Sequence, residues 1–343
     1  MLAKQRIIIA ILGVTLAVVA ILSLGLGAFH VPVVDVVQLL LHKIGIKTRA
    51  LDDGMQHDVL FVVRFPRVLL GIFVGAALGT SGAAIQGIFR NPLAEPGLIG
   101  ISAGASLFAV LVIAFEHVLF VGLSQILGYY ILIFGAFIGA ALTAFVVYQL
   151  SLKAGRPQVT TMLLAGIAIN GFAGALTGLM TYMATEQQLR TITFWMLGSL
   201  GGATWENLIA VAPMILLAVF ALLFFGKPLN AFALGEMQAD LLGMRTDRVK
   251  LGVVALATLA VGASVAVSGI IGFVGLLVPH TVRMLGGADN RYVLLASMLL
   301  GALTLTSADV LSRTLIAPIE LPIGVITALL GTPVFLYILI KEK

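Results

Sequence analysis

Residues 65–88 read FPRVLLGIFVGAALGTSGAAIQGI, and no charged side chain interrupts this stretch between Arg67 and Arg90. An α-helix needs about 20 apolar residues to cross the hydrocarbon core of a bilayer. Runs of this kind recur along the whole chain, at 7–28, 65–88, 98–115, 126–151, 159–183, 207–225, 251–269, 272–285, 293–311 and 323–340. The sequence therefore predicts an all-α, polytopic membrane protein with ten transmembrane helices, in which residues 1–343 form a single transmembrane domain.

The composition points to the same class. Of the 343 residues, 60% are hydrophobic and 10% are charged, whereas soluble domains carry roughly 25% charged residues. A soluble enzyme and a disordered chain are therefore excluded. The net charge of +5 requires no nucleic-acid partner, because membrane proteins retain Lys and Arg in their cytoplasmic loops. The chain has no Cys, and its five His show no ligand spacing, so we expect neither a metal site nor a cofactor.

The distribution of Lys and Arg predicts the direction of the spans. With ten spans and a cytoplasmic N-terminus, both termini are cytoplasmic, and 13 of the 20 basic residues lie on that side. Two segments between spans are then long. Residues 29–64 form an outer segment with a helix predicted near Val33–Ile44. Residues 226–250 form an inner segment of one or two short helices, for which a solvated loop is the alternative.

Small residues recur at four-residue spacing inside several spans. Gly71, Gly75 and Gly79 form one ridge, Gly135 and Gly139 form another, and Gly166, Asn170, Gly174 and Gly178 share one stripe of the fifth span. Such ridges let helix backbones approach closely, so we expect the glycines to pack against neighbouring helices. An amide inside a bilayer must be paired or face water. Asn170 is therefore either an interhelical tie or a residue of a transport pathway.

Two breaks between spans are rich in Gly and Pro. One covers residues 90–106, and the other covers residues 268–280. Gly97-Leu-Ile-Gly100 and Gly269-Ile-Ile-Gly272 are alike and open the third and eighth spans, which run in opposite directions in the predicted topology. Paired broken segments of this kind are typical of the inverted repeats of transporters. We predict an internal inverted repeat, although a chance match of four residues is the alternative.

The energy source is not visible in this chain. No Gly-x-x-x-x-Gly-Lys-Ser/Thr phosphate-binding loop is present. An ion-coupled transporter needs ionisable groups near the middle of the membrane, and Asp309 is the deepest candidate, with a predicted partner in Arg313 one helical turn away. We therefore expect a non-enzymatic membrane subunit whose ATPase is a separate chain. An ion-coupled secondary transporter is the alternative from a different class.

Several long motifs resemble one known family. Arg64-Phe-Pro-Arg67, Gly82-Ala-Ala-Ile-Gln86, Arg90-Asn-Pro-Leu-Ala-Glu-Pro-Gly97, Gly269-Ile-Ile-Gly-Phe-Val-Gly-Leu-Leu-Val-Pro-His280 and the run from Glu320 to Phe335 resemble the permeases of iron-chelate, heme and vitamin B12 ABC importers. The match begins near residue 60 and continues to the C-terminus. It implies a type II importer permease in a bacterial inner membrane. It also implies a homodimer, two cytoplasmic ATPase subunits and a periplasmic binding protein as partners.

The resemblance also implies roles for individual residues. Arg64, Arg67 and Arg313 match outer arginines that meet glutamates of the binding protein. The alternative is that they are basic anchors at the membrane interface. The cytoplasmic gate would be formed by Asn91, Pro92 and Leu93, with Val159 and Thr160 opposite. Val159 departs from the small hydroxyl residue that is common at this position in the family. The coupling helices that seat in the ATPase would include Leu234, Gly235, Glu236, Asp240, Gly243, Arg245 and Arg248.

The substrate is only partly indicated. The motif from Phe194 to Trp205 is more similar to heme and iron-siderophore permeases than to others. The predicted translocation path contains Asn170, Met180, Met183 and Arg190, and an apolar, sulfur-containing mouth with an arginine would suit a porphyrin that carries propionates. We expect heme first, then a ferric siderophore, then cobalamin.

Overall fold

The computed structural model describes residues 2–27, 29, 31–43, 45, 54–115, 122, 127–128 and 130–341. Ile44, the last residue of the predicted outer helix, lies outside the described residues. Residues 126 and 129, at the start of the predicted span 126–151, also lie outside them. Helix follows the predicted apolar runs throughout. The fifteen α-helices in the described part are α1 (Ala3–Gly25), α2 (Val33–Lys43), α3 (Gly54–Asp58), α4 (Phe65–Phe89), α5 (Ile101–Phe115), α6 (Tyr130–Leu150), α7 (Val159–Met183), α8 (Glu186–Leu197), α9 (Trp205–Leu223), α10 (Gly226–Ala233), α11 (Glu236–Leu241), α12 (Thr246–Ser268), α13 (Val274–Gly286), α14 (Asn290–Thr314) and α15 (Ile323–Lys341).

Each of the ten predicted runs contains one of these helices, but the helices differ in length. Seven are long and apolar enough to cross a membrane, the second of them a continuous helix over Gly54–Phe89 that includes a π-helical stretch, Val59–Arg64. Ile101–Phe115 and Ile323–Tyr337 are shorter apolar helices, and α13 has only 13 residues. The all-α membrane fold is confirmed, whereas the count of ten full spans stays a prediction.

The glycine ridges pack helices together at backbone distance. A Cβ atom on Gly75 of α4 would overlap the carbonyl oxygen of Gly301 in α14, and one on Gly79 would overlap that of Ser297. Gly139 of α6 packs in the same way against Gly104 of α5. These contacts confirm that the two ridges are packing surfaces, because a side chain there would separate the helices.

The stripe on α7 is only partly a packing surface. Gly166 lies against the carbonyl of Leu98, but at Gly174 and Gly178 no described atom beyond the local helix backbone lies within 4 Å of the position that a Cβ would occupy. Within the described part of this chain, the expected packing is therefore found at Gly166 and not at these two glycines. Both glycines line a cavity. The stripe therefore contacts a neighbouring segment at Gly166 and lines the cavity further along the helix.

Two connections lie at helix ends and are important for the site. Residues 226–250 contain two short helices, α10 and α11, before α12 begins, which confirms the helical prediction over the solvated loop. They are joined at Leu234-Gly235, where Gly235 has a φ of 117° that favours glycine. A small antiparallel hairpin, β1 (Leu152–Lys153) and β2 (Arg156–Pro157), connects α6 to α7. The sequence did not predict this hairpin.

Candidate functional site

A cavity of about 640 Å³ lies between the two broken segments. On one side it is lined by Glu95 and Gly97, where a short 3₁₀ helix (Pro96–Ile99) interrupts the chain between α4 and α5. On another side it is lined by Ile270 and Gly272, which precede α13. Irregular backbone is tolerated within a membrane when it lines a cavity. The structure thus brings both sequence-predicted breaks to one place.

Asn170 of α7 forms an interhelical tie and lies in the wall of the cavity, and its role in a transport pathway stays a prediction. Its Nδ2 donates a hydrogen bond to the carbonyl oxygen of Gly97 at 3.0 Å, which ties α7 to the broken segment. The same residue lines the cavity, and its Oδ1 is buried without a hydrogen-bond donor from the described part of the chain. The amide therefore fixes the cavity wall through its bond to Gly97.

Two hydroxyl-bearing residues lie in the wall of the cavity. Ser106 of α5 and Thr177 of α7 line it, and their hydroxyl oxygens are buried without partners among the described residues. Buried polar groups normally find a partner in protein or in water. Because these oxygens are buried in the wall, the surface of the cavity itself is mostly apolar. Sequence reasoning missed both residues because isolated hydroxyls occur in many packed membrane helices.

The three outer arginines are buried within the chain. Arg64, Arg67 and Arg313 are 5%, 7% and 6% exposed. Arg67 is held between two carboxylates: its Nε donates to Oδ1 of Asp309 at 2.9 Å, and its Nη1 and Nη2 donate to the two oxygens of Glu320, each at 2.9 Å. This bidentate geometry fixes the guanidinium plane. Arg67 is therefore already paired before any partner arrives.

The other two arginines tie the end of α1 to the bundle. Arg313 lies 3.0 Å from Oδ2 of Asp309 and donates to the carbonyls of Leu26, at 2.9 Å, and Ser23, at 3.2 Å. Arg64 donates to the carbonyls of Leu24 and Gly25, and also to that of Phe29. The predicted pairing of Asp309 with Arg313 is confirmed. A docking role for the three arginines stays a prediction, and their side chains are less accessible than free charges at a rim.

Glu320 is the residue of this cluster that sequence reasoning missed. Its carboxylate is 45% exposed, so it closes the network on the side facing solvent. It lies 253 positions from Arg67, and no local spacing could pair them. The sequence signals were its position at the start of the motif Glu320–Phe335 and its place between two apolar helices, but neither indicated a partner.

The predicted gate residues occupy two connections. The Oδ1 of Asn91 accepts a hydrogen bond from the backbone N–H of Leu93 at 2.9 Å, which shapes the turn after α4. Val159 and Thr160 form the first turn of α7, with Val159 half-buried and Thr160 exposed. Within the described residues no hydrogen bond joins these two groups. Their role as a gate, and that of the exposed Pro92, stay predictions.

The predicted coupling segment presents an exposed apolar patch. Leu234, Met237, Leu241 and Leu242 are between 65% and 83% exposed, and contiguous apolar surface of this kind marks a protein or membrane contact. Two predicted polar contacts are engaged within the chain instead: Glu236 pairs with Lys250 at 2.7 Å, and Asp240 accepts a hydrogen bond from the Thr246 hydroxyl at 2.8 Å. Gly243, Arg245 and Arg248 remain exposed.

The four predicted path residues are dispersed in the structure. Only Asn170 lines the main cavity. Met180 packs against the apolar cluster of Val110, Ile113 and Ile192. Met183 is exposed, and Arg190 lies 5.9 Å from the Phe194 ring beside a separate cavity of about 390 Å³. In the described part of this chain, the four residues therefore do not line one common opening.

The described residues contain no group of three or more His, Asp or Glu side chains placed to hold a metal ion. A helical membrane bundle whose broken segments line a cavity, with short amphipathic helices beyond the bundle, defines a membrane permease. The chain belongs to the FecCD transport family, whose profile matches residues 15–341.

Individual relatives agree with this assignment. The chain is 44% identical to the hemin transport system permease protein HmuU of Yersinia pestis, over 85% of this chain and 86% of that protein. It is 38% identical to the cobalamin import system permease protein BtuC of Halobacterium salinarum, over 82% of this chain and 73% of that protein. A solved structure described as an inward-facing metal-chelate type ABC transporter matches 98% of this chain and 99% of that chain. Its TM-score is 0.85 at 33% identity.

These comparisons confirm the family resemblance seen in the sequence motifs. The relatives are permease subunits of transporters, so the prediction of a non-catalytic permease is confirmed. The chain is an integral membrane protein of the ABC importer class. Substrate, orientation and partners are proposals.

Proposed function

We propose that this chain is the permease subunit of an ATP-driven importer that moves an iron chelate, specifically heme, into the cytoplasm of a bacterium. The observation that carries the proposal is membership of the FecCD family together with a cavity between two broken helices. Heme is preferred because the hemin permease is 44% identical to this chain. The mostly apolar wall is compatible with a largely apolar macrocycle.

The proposed assembly contains two copies of this chain in the inner membrane, with both termini in the cytoplasm. Two ATPase subunits contact the coupling segment, where the exposed patch from Leu234 to Leu242 supplies apolar surface. A binding protein delivers substrate on the opposite side. The likeness to a chain of a metal-chelate type ABC transporter, with a TM-score of 0.85, supports a permease that works with an ATPase.

Docking of the binding protein is proposed at the network around Arg67. Three arginines and two carboxylates leave this network with one net positive charge, and such a field steers an acidic partner more than it adds raw affinity. Since Glu320 already occupies the fork of Arg67, a partner carboxylate would compete with Glu320.

Reconstitution tests the proposed function. The chain, an ATPase subunit and the binding protein are incorporated into or added to vesicles, and uptake of hemin, a ferric siderophore and cobalamin is compared. Hemin uptake that requires ATP and all three proteins is expected. Uptake by the permease alone under an ion gradient would favour the secondary transporter, and stronger uptake of another chelate would reassign the substrate. The ion-coupled alternative is disfavoured because Asp309 is already paired with two arginines.

A further inference from the structure

Lys250 is a buried cation that joins three elements of the structure. It lies in the first turns of α12 and is only 2% exposed. Its Nζ donates to Oε2 of Glu236 at 2.7 Å and to the carbonyl oxygen of Pro157 at 2.7 Å. Lysine is almost never fully buried unless it is paired, so both partners are needed to hold the charge there.

The two partners belong to segments with different proposed roles. Glu236 is the first residue of α11 in the coupling segment. Pro157 ends the hairpin, two positions before Val159, where α7 begins. A second link runs parallel to the first: Arg156 of the hairpin lies 3.6 Å from Asp240 and 3.8 Å from Asp247. The hairpin is therefore held to the coupling segment by a buried link and an exposed one.

The hairpin is closely joined to α7. Ser151 is buried, and its carbonyl accepts a hydrogen bond from the backbone N–H of Gln158 at 3.0 Å, which closes the hairpin directly before α7. A displacement of Pro157 therefore moves the first turn of α7. That helix is continuous from Val159 to Met183 and carries Asn170 on the wall of the cavity.

We propose that Lys250 is a positioning residue that transmits movement of the coupling segment to α7, through Glu236 on one side and the carbonyl of Pro157 on the other. This inference rests on the proposed function, since it assumes that an ATPase moves the coupling segment. The exposed pair Arg156–Asp240 is weaker because solvent screens it. The buried link is thus the principal connection between the site of energy input and the helix that lines the cavity.

The mechanical part of the proposal is testable on the chain alone in nanodiscs. The natural sequence has no Cys, so spin labels can be placed at single cysteines replacing Lys153 in the hairpin and Leu241 in α11, both exposed. A narrow distance distribution is expected for the otherwise unchanged chain and for Lys250→Arg, which keeps the charge and donors. A broadened distribution is expected for Lys250→Met. An unchanged distribution for Lys250→Met would overturn the proposal.

Matched variants separate the link from general damage. Lys227→Met removes an exposed lysine from α10 of the same segment and should leave the distribution narrow. Should Lys250→Met fail to fold, Glu236→Gln provides the second test, because Glu236 is half-exposed and its loss removes only one side of the link. Broadening in Glu236→Gln supports the proposal, and a distribution as narrow as that of Lys227→Met contradicts it.

Coupling is then measured in the reconstituted complex with hemin as substrate. We expect Lys250→Met to lower hemin transported per ATP by about tenfold while ATPase binding is unchanged, and Lys250→Arg to restore the ratio. Equal loss of ATPase binding and transport would make Lys250 part of the docking surface and refute the transmission role. If the unchanged complex transports no hemin with ATP, the proposed function fails, whereas the spin-label result still decides whether the link exists.

Discussion

Replacing Asp309 by Asn distinguishes a structural carboxylate from an ion-coupling one. Asp309 is 2% exposed and lies between Arg67, at 2.9 Å, and Arg313, at 3.0 Å. The amide keeps the shape of the side chain but removes the negative charge that both guanidinium groups face. In an ion-coupled transporter this change would abolish transport and spare assembly. In the structure described above it should instead weaken the fold.

The size of the effect follows from the partners that remain. Removing one member of a buried ion pair costs about 3–5 kcal/mol, because an uncompensated buried charge is left behind. Arg67 keeps its bidentate contact with Glu320, and Arg313 keeps the carbonyls of Ser23 and Leu26. We therefore expect Asp309→Asn to lower the free energy of unfolding by the lower end of this range, about 3 kcal/mol, which is roughly a hundredfold in the folded-to-unfolded ratio.

Glu320→Gln is the matched control, because it removes a carboxylate from the same guanidinium at a position that is 45% exposed. Solvent screens that pair, so a loss of about 1 kcal/mol or less is expected. The assay is thermal or denaturant unfolding of both variants in the same detergent or nanodisc. If Asp309→Asn is as stable as the natural chain but transports nothing, the structural assignment is refuted and ion coupling regains support.

Four further outcomes are expected. Gly75→Ala should destabilise the α4–α14 contact by about 1–3 kcal/mol, since its Cβ would lie 2.8 Å from the Ala302 Cα, whereas Gly174→Ala, which meets open space, should not lower the melting temperature. Burial raises the pKa of the Glu95 carboxyl. At a pH above about 4.3, the value in the unfolded chain, the folded state therefore retains a proton that the unfolded chain has lost, and the stability falls as the pH rises. Glu95→Gln should flatten this pH dependence of the melting temperature. Leu241→Asp should weaken ATPase binding by about tenfold in a titration, because it places a charge in the exposed apolar patch, and unchanged binding would exclude this patch as the contact. Glu320→Gln should tighten docking of the binding protein about threefold at low salt by freeing the fork of Arg67, and a salt-independent affinity would contradict competition at this site.

Features governed by neighbours along the chain were predicted well. The helices follow the apolar runs because transfer of about 20 apolar residues into hydrocarbon depends on local composition. Asp309 and Arg313 were paired correctly because residues four apart share a helix face. The two short helices of 226–250 followed from helical spacing bounded by Pro228 and Gly243.

Features that join distant parts of the chain were not predicted. The hairpin before α7 has only two residues in each strand, and its link to Lys250 spans 93 positions. The glycines of α7 illustrate the same limit: Gly166 meets the carbonyl of Leu98, whereas Gly174 meets open space. Both glycines belong to the same four-residue stripe of α7, and only the position of the neighbouring segment distinguishes them.

The sequence by itself determined that the chain is a helical membrane permease, where its helices run and where they break, and which family it belongs to. Where the helices run and break depends on hydrophobicity and backbone preference, which act over a few residues, whereas the family was indicated by the resemblance of long motifs. Only the tertiary structure decided that the outer arginines are buried in a network with Glu320, that both breaks line one cavity, and that Lys250 links the coupling segment to α7. The physical reason is that a buried charge or polar group is stabilised by whichever partner the fold places within about 3 Å, and sequence separation does not determine that distance.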